Sequence, residues 1–191
     1  MNIPSVMTYV SWRSPVTAEN GGGYAFPQKF TSYFRAKYSC PAVYRWRIHP
    51  GAAIGKREDV YIGEAEDLVS RVQRVLTPSR SSKGGETNRR LNKIFLDAIA
   101  SERKVFLDIA DFQPFEIDGV VFSPEKLSDP FRRAVLENIF LLHAQQEGWG
   151  VLNKTVNLAE KQAVRYFMKL PAHRRKELIN SVLKKKQGEP L

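Results

Sequence analysis

Two short runs decide the fold: Ala42–Ile48, AVYRWRI, and Asp59–Gly63, DVYIG. In the first, Val43, Arg45 and Arg47 alternate with Tyr44, Trp46 and Ile48, the period-two pattern of a half-buried strand. The second is again β-rich and closed by Gly63, and the loop between them carries Pro50, Gly51 and Gly55. Together they predict a hairpin. From Glu64 to Leu76 the period changes: acidic residues come first, then Leu68, Val72, Val75 and Leu76 recur at i, i+4, i+7 and i+8, which predicts an amphipathic helix.

Outward from this core, residues 77–87 (TPSRSSKGGET) read as a polar, basic loop. A helix is predicted from Asn88 to Ser101 and a third strand over Lys104–Ile109. Asp118-Gly119 is a strong turn signal between Phe115–Ile117 and Val120–Phe122, and a long helix follows over Pro130–Gln146, stopped by Gly148. Upstream, Gly21, Gly22 and Gly23 mark a turn, and Phe30, Tyr33, Phe34 and Tyr38 have the spacing of a short helix that packs on the body. The expectation is an α+β fold with a small, mainly antiparallel three-stranded central sheet flanked by helices. Residues 1–40 would form an N-terminal arm, 41–154 the central domain and 155–191 a basic helical C-terminal extension.

A chain of 191 residues with 42% hydrophobic composition can bury one core. No stretch approaches 18 uninterrupted apolar residues and the start lacks a basic-then-apolar leader pattern, so a soluble, cytoplasmic protein without a membrane partner is expected. With Cys40 as the single cysteine and three histidines, a cysteine-rich zinc site is not available. The formal net charge of +10 favours a polyanionic partner, nucleic acid first. Most of the excess sits in residues 157–187, which hold nine basic residues, Arg165 among them, against Glu160 and Glu177. There Ala159, Ala163, Phe167 and Leu170, then Pro171, then Leu178, Ile179, Val182 and Leu183 predict a helical hairpin. Its basic face either grips a phosphate backbone or is simply solvated.

The tripeptides AVY (Ala42 to Tyr44) and YIG (Tyr61 to Gly63), Arg71 ten residues beyond the second tyrosine, Glu137 in a later helix and Asn153 after it resemble the GIY-YIG nuclease domain. The likeness covers residues 41–154; the second motif is intact, and Ala-Val replaces Gly-Ile in the first. The resemblance implies a GIY-YIG-like fold and a Mg²⁺- or Mn²⁺-dependent endonuclease acting on double-stranded DNA, as in the short, basic restriction enzymes of that family. It further implies Tyr44 as general base, Tyr61 as an assisting hydroxyl, Arg71 on the scissile phosphate and Glu137 on the metal. Many members carry a histidine or tyrosine four residues after the arginine, where this chain has Val75.

The residue types suit that chemistry on their own terms. Phosphodiester hydrolysis needs an activated water, positive charge where the phosphate gains negative charge, and usually a divalent cation held by carboxylate. Tyr44 and Tyr61 on adjacent strands can converge if the strands pair in register; otherwise they are sheet aromatics with wet hydroxyls. A phenol with a pKa near 10 is a poor base unless a cation lies close, so Arg71 or the metal must be near. Arg71 borders the apolar stripe of its helix and either reaches the sheet or pairs with Asp67. Glu137 stands in apolar company and either holds Mg²⁺ with waters and a phosphate oxygen or pairs with Arg133. Asn153 is a bracing amide or a turn residue, and Lys56, Lys83 and Arg165 are candidate contacts to nucleic acid. A homodimer would suit cutting both strands of a symmetric site. The competing readings are a nucleic-acid-binding protein with a nuclease-like fold and weak or no turnover, and a structural protein whose lysines are incidental.

Overall fold

Strand β2 (Ala42–Ile48) is the centre of the sheet because its residues can satisfy a neighbour on each edge and a core on each face. It pairs antiparallel with β3 (Asp59–Ala65) on one side and with β4 (Val105–Phe112) on the other. These are the three strands expected from the sequence. The sheet is nevertheless five-stranded: β1 (Val10–Arg13) pairs antiparallel with β4, and β7 (Gly150–Val151) pairs parallel with β3, giving the order β1-β4-β2-β3-β7. Both additions are short, of four and two residues, below the length at which alternation is legible. A separate hairpin joins β5 (Phe115–Ile117) and β6 (Val120–Phe122). The computed structural model describes residues 7–19, 21–50, 57–79, 85–117 and 120–153.

Among the described residues the helices are α1 (Ser32–Tyr38), α2 (Leu68–Leu76), α3 (Gly85–Ala100) and α4 (Pro130–Gln146), so the protein is α+β with a mainly antiparallel sheet. The boundary after Gly63 differs from expectation. Strand β3 continues through Glu64 to Ala65, and α2 starts at Leu68 because the Asp67 carboxylate accepts from the Ser70 N–H at 2.6 Å and caps the helix. Helix α4 has the predicted bounds and ends where Gly148 takes a positive φ of 70°.

Two cores form, one on each face of the sheet. Tyr44, Trp46 and Ile48 of β2 pack with Leu68, Val72 and Val75 of α2 and Leu91 and Phe95 of α3. Tyr24, Phe26 and Phe34 join that core, so the segment read as an arm supplies both buried aromatics and the edge strand β1. On the other face Val43, Val60 and Ile62 meet Leu136, Phe140 and Ala144 of α4.

Arg45 and Arg47 share the face of β2 opposite Tyr44, and burying them demands a counter-charge. Asp108 of β4, 2% exposed, supplies it, with Arg45 Nε donating to Oδ2 at 2.8 Å, Arg47 joining the same oxygen and Ser14 Oγ donating to Oδ1 at 2.8 Å. The Arg45 guanidinium also lies over the Trp12 ring at 4.5 Å and the Trp149 ring at 5.2 Å. Asp108→Ala, which removes the carboxylate partner of Arg45 and leaves Arg47 with Glu58 alone, is expected to lower the unfolding free energy by about 3–5 kcal/mol in urea titration.

Candidate active site

Strand register creates the site. Tyr44 lies opposite Gly63 and Trp46 opposite Tyr61, so the two tyrosines are diagonal neighbours on one face, with ring centroids 6.5 Å apart. Gly63 is what lets them meet. A Cβ there would sit 2.6 Å from the Tyr44 hydroxyl oxygen, 2.8 Å from Tyr44 Cζ and 3.0 Å from Tyr61 Cε1. The third residue of the YIG run is therefore the floor beneath the Tyr44 ring.

Helix α2 delivers the guanidinium. Leu68, Val72 and Val75 are buried, and Arg71, at the border of that stripe, turns inward to the sheet. Its Nε donates to the Tyr44 hydroxyl oxygen at 2.8 Å, its Nη2 to the Tyr61 hydroxyl oxygen at 3.3 Å and its Nη1 to Asn88 Oδ1. Asp67 is occupied in capping α2 and takes no part. A guanidinium has five N–H donors in a planar fork, of which three are engaged among the described residues. Burial works against the charge of Arg71, but the two phenol oxygens outweigh it and hold its pKa above the ordinary value.

The phenols themselves are kept neutral. Tyr44 is fully buried and Tyr61 is 6% exposed, and burial pushes both pKa values up despite the opposing pull of Arg71. Each phenol oxygen accepts a hydrogen bond from Arg71, which leaves its own O–H to donate. The arrangement presents two hydroxyl donors and a guanidinium from three separate elements.

Glu137 is 4% exposed on α4 and, among the described residues, its buried Oε2 has no hydrogen-bond partner. The alternative pairing with Arg133 does not form. Arg133 instead donates from Nε to Glu64 Oε2 at 2.7 Å and from Nη1 to the carbonyls of Leu127 at 2.7 Å and Ser128 at 3.0 Å. Burial first, then the charge of Glu64, push the Glu137 pKa up to about 8, with Arg71 pulling the other way. Glu137 in turn acts electrostatically on both Tyr44 and Tyr61, without hydrogen-bonding to either.

A buried carboxylate oxygen with no donor is a ready cation ligand. Among the described residues no group of three or more His, Cys, Asp and Glu gathers, which disfavours an all-protein cage. One or two carboxylates completed by water and a phosphate oxygen suit Mg²⁺, so the residues present fit that ion.

Asn153 acts as a strand surrogate. The Ile62 N–H donates to its Oδ1 at 3.0 Å and its Nδ2 donates to the Ile62 carbonyl at 2.6 Å, bracing β3 next to Gly63. Arg90 Nη1 donates to the adjacent Leu152 carbonyl at 2.9 Å. Val75, at the position where a second proton carrier would be expected, is sealed in the core. Lys56, Lys83 and Arg165 lie outside the described residues, as does the whole predicted C-terminal hairpin.

Three residues that shape the site escaped the sequence reading: Asn88, Glu64 and, in its role as floor, Gly63. Asn88 carries a visible signal, because it stands three and seven residues before Leu91 and Phe95 on the buried stripe of α3, a polar residue where an apolar one belongs. Glu64 carries none, since a glutamate after a glycine reads equally well as the start of a helix.

The chain matches no protein-family model, no curated protein and no solved structure.

Gly63→Ala is expected to destabilise the fold by about 1–3 kcal/mol, read from denaturant unfolding, because the Tyr44 ring cannot retreat from a buried core. Glu137→Gln, measured in EDTA, is expected to stabilise it in a pH-dependent way. The unfolded glutamate ionises near its ordinary value and the folded one near 8, so wild-type stability falls as pH rises between those limits. The variant's advantage should therefore be small at pH 4 and reach on the order of 2–4 kcal/mol by pH 9. A constant advantage at all pH values contradicts the raised Glu137 pKa.

Proposed function

We propose that this chain is a divalent-cation-dependent endonuclease that hydrolyses DNA phosphodiester bonds, of the kind its resemblance to GIY-YIG restriction enzymes implies. One observation carries the reading. Tyr44, Tyr61 and Arg71, brought from β2, β3 and α2, share hydrogen bonds and lie within electrostatic reach of Glu137, a buried carboxylate whose Oε2 has no hydrogen-bond partner among the described residues.

Each group has a task in such a reaction. The N–H groups of Arg71 left open among the described residues bind a non-bridging phosphate oxygen and stabilise the negative charge that grows there. The Tyr44 and Tyr61 hydroxyls, already oriented by Arg71, donate to the attacking water or the phosphate and fix the line of attack. The water oxygen forms the new P–O bond as the ester P–O bond breaks; the water proton passes to Tyr44 when that phenol is ionised, and the departing ester oxygen takes a proton from solvent water and leaves as a free hydroxyl. Burial holds Tyr44 neutral, so the base form grows with pH. A divalent cation bound through Glu137 would add the positive charge that both the phenolate and the phosphate require.

The net charge of +10 supports double-stranded DNA as substrate, and a homodimer would let two sites cut both strands. Among the described residues no helix is long and apolar enough to cross a membrane. A second reading, a DNA-binding protein with weak or no turnover, is favoured by two observations: Val75 is buried in the core, and Tyr44 has its pKa raised by burial.

Supercoiled plasmid separates the two. With Mg²⁺ the wild type should nick it, EDTA should abolish nicking, and the rate should climb with pH. Tyr44→Phe and Glu137→Ala should each reduce the rate by about 10²–10⁴ while leaving DNA affinity in EDTA nearly unchanged. Salt-sensitive binding with no nicking by the wild type establishes the second reading in place of the first.

A further inference from the structure

We propose that Glu64 is a second carboxylate ligand, with Glu137, for the divalent cation of this site, an inference that rests on the metal-dependent reading above. Glu64 follows Gly63 on β3, so its side chain leaves the sheet on the face opposite Tyr61, toward α4. Arg133 and Glu137 are four residues apart on α4 and lie on one face of it. Arg133 Nε holds Glu64 Oε2 at 2.7 Å, which sets the Glu64 carboxylate against the stripe of α4 that carries Glu137.

The two acids have complementary surroundings. Glu137 is 4% exposed and keeps an unpartnered buried oxygen, whereas the Glu64 side chain is 29% exposed and reaches solvent. A cation can thus arrive hydrated at Glu64 and exchange part of its water for the buried oxygen of Glu137. Arg133 is 6% exposed at its side chain and anchored to the carbonyls of Leu127 and Ser128, so it orients Glu64 by one oxygen. Glu64 and Glu137 thus offer a cation two carboxylates, one held by Arg133 through a single oxygen and one with a buried oxygen left open among the described residues. Such a pair, completed by water and a phosphate oxygen, is the ligand set that Mg²⁺ prefers.

The test is Mn²⁺ binding by the full-length protein without DNA, followed by loss of the free-ion electron paramagnetic resonance signal, with Mg²⁺ as competitor. Glu64→Gln keeps an oxygen for Arg133 and should weaken Mn²⁺ binding about tenfold or more. Glu137→Gln should weaken it at least as much. If Glu64→Gln fails to fold, the double variant Glu64→Gln/Arg133→Met, which leaves no unpaired charge, should show the same loss. Wild-type affinity in the folded Glu64 variant, with binding lost only in Glu137→Gln, overturns the proposal and leaves the metal reading intact. Unchanged binding in Glu137→Gln, or none in the wild type, overturns both.

Discussion

A half-buried guanidinium has to have its N–H groups answered, and in this protein Arg71 is answered by two phenols and an amide in place of a carboxylate. That choice governs the site. An acid partner would neutralise the charge and spend it on stability, whereas neutral oxygens keep the positive charge intact and direct it toward the sheet surface. The same hydrogen bonds tie α2 and α3 to the hairpin of β2 and β3, because Tyr44, Tyr61 and Asn88 each belong to a different element. Packing and chemistry converge on one side chain: what orients the cation also orients the hydroxyls.

Glu137 acts on this cluster through charge and not through hydrogen bonds. Arg133 satisfies Glu64 and two carbonyls, so Glu137 is left buried with an open oxygen. Such a group costs stability, and the raised pKa of Glu137 registers that cost. The opposite face of β2 shows the contrasting solution, in which Arg45 and Arg47 are answered by carboxylates, Asp108 for both and Glu58 for Arg47, and the charges are structural.

Much of the fold was legible because its signals are local. The alternation in AVYRWRI, the Asp118-Gly119 turn and the Pro130 start with the Gly148 stop each translate directly into the observed β2, β5–β6 and α4. The end of β3 was not, because Glu64 and Glu66 favour the first turn of a helix as well as they fit a strand, and the decision falls to the Asp67 cap and to pairing of Ala65 with Ala42. Strands β1 and β7 escaped for a different reason. Their few residues acquire strand geometry only from the neighbours they pair with, Ile109–Phe112 and Asp59–Val60.

In the candidate site, sequence alone settled the residue types and their placement on elements: two tyrosines on successive strands, an arginine at the edge of an apolar stripe, a glutamate in apolar company. It also left two partners open for Arg71 and two for Glu137. Tertiary structure settled the partner of Arg71 and took Arg133 away from Glu137. Asp67 went to a helix cap and freed Arg71 for the phenols; Glu64, swung toward α4 by the strand's alternation, took Arg133 and left Glu137 without a donor. Those choices depend on which groups compete for the same hydrogen bonds in three dimensions, and competition between residues some seventy positions apart has no periodicity that a linear reading can detect.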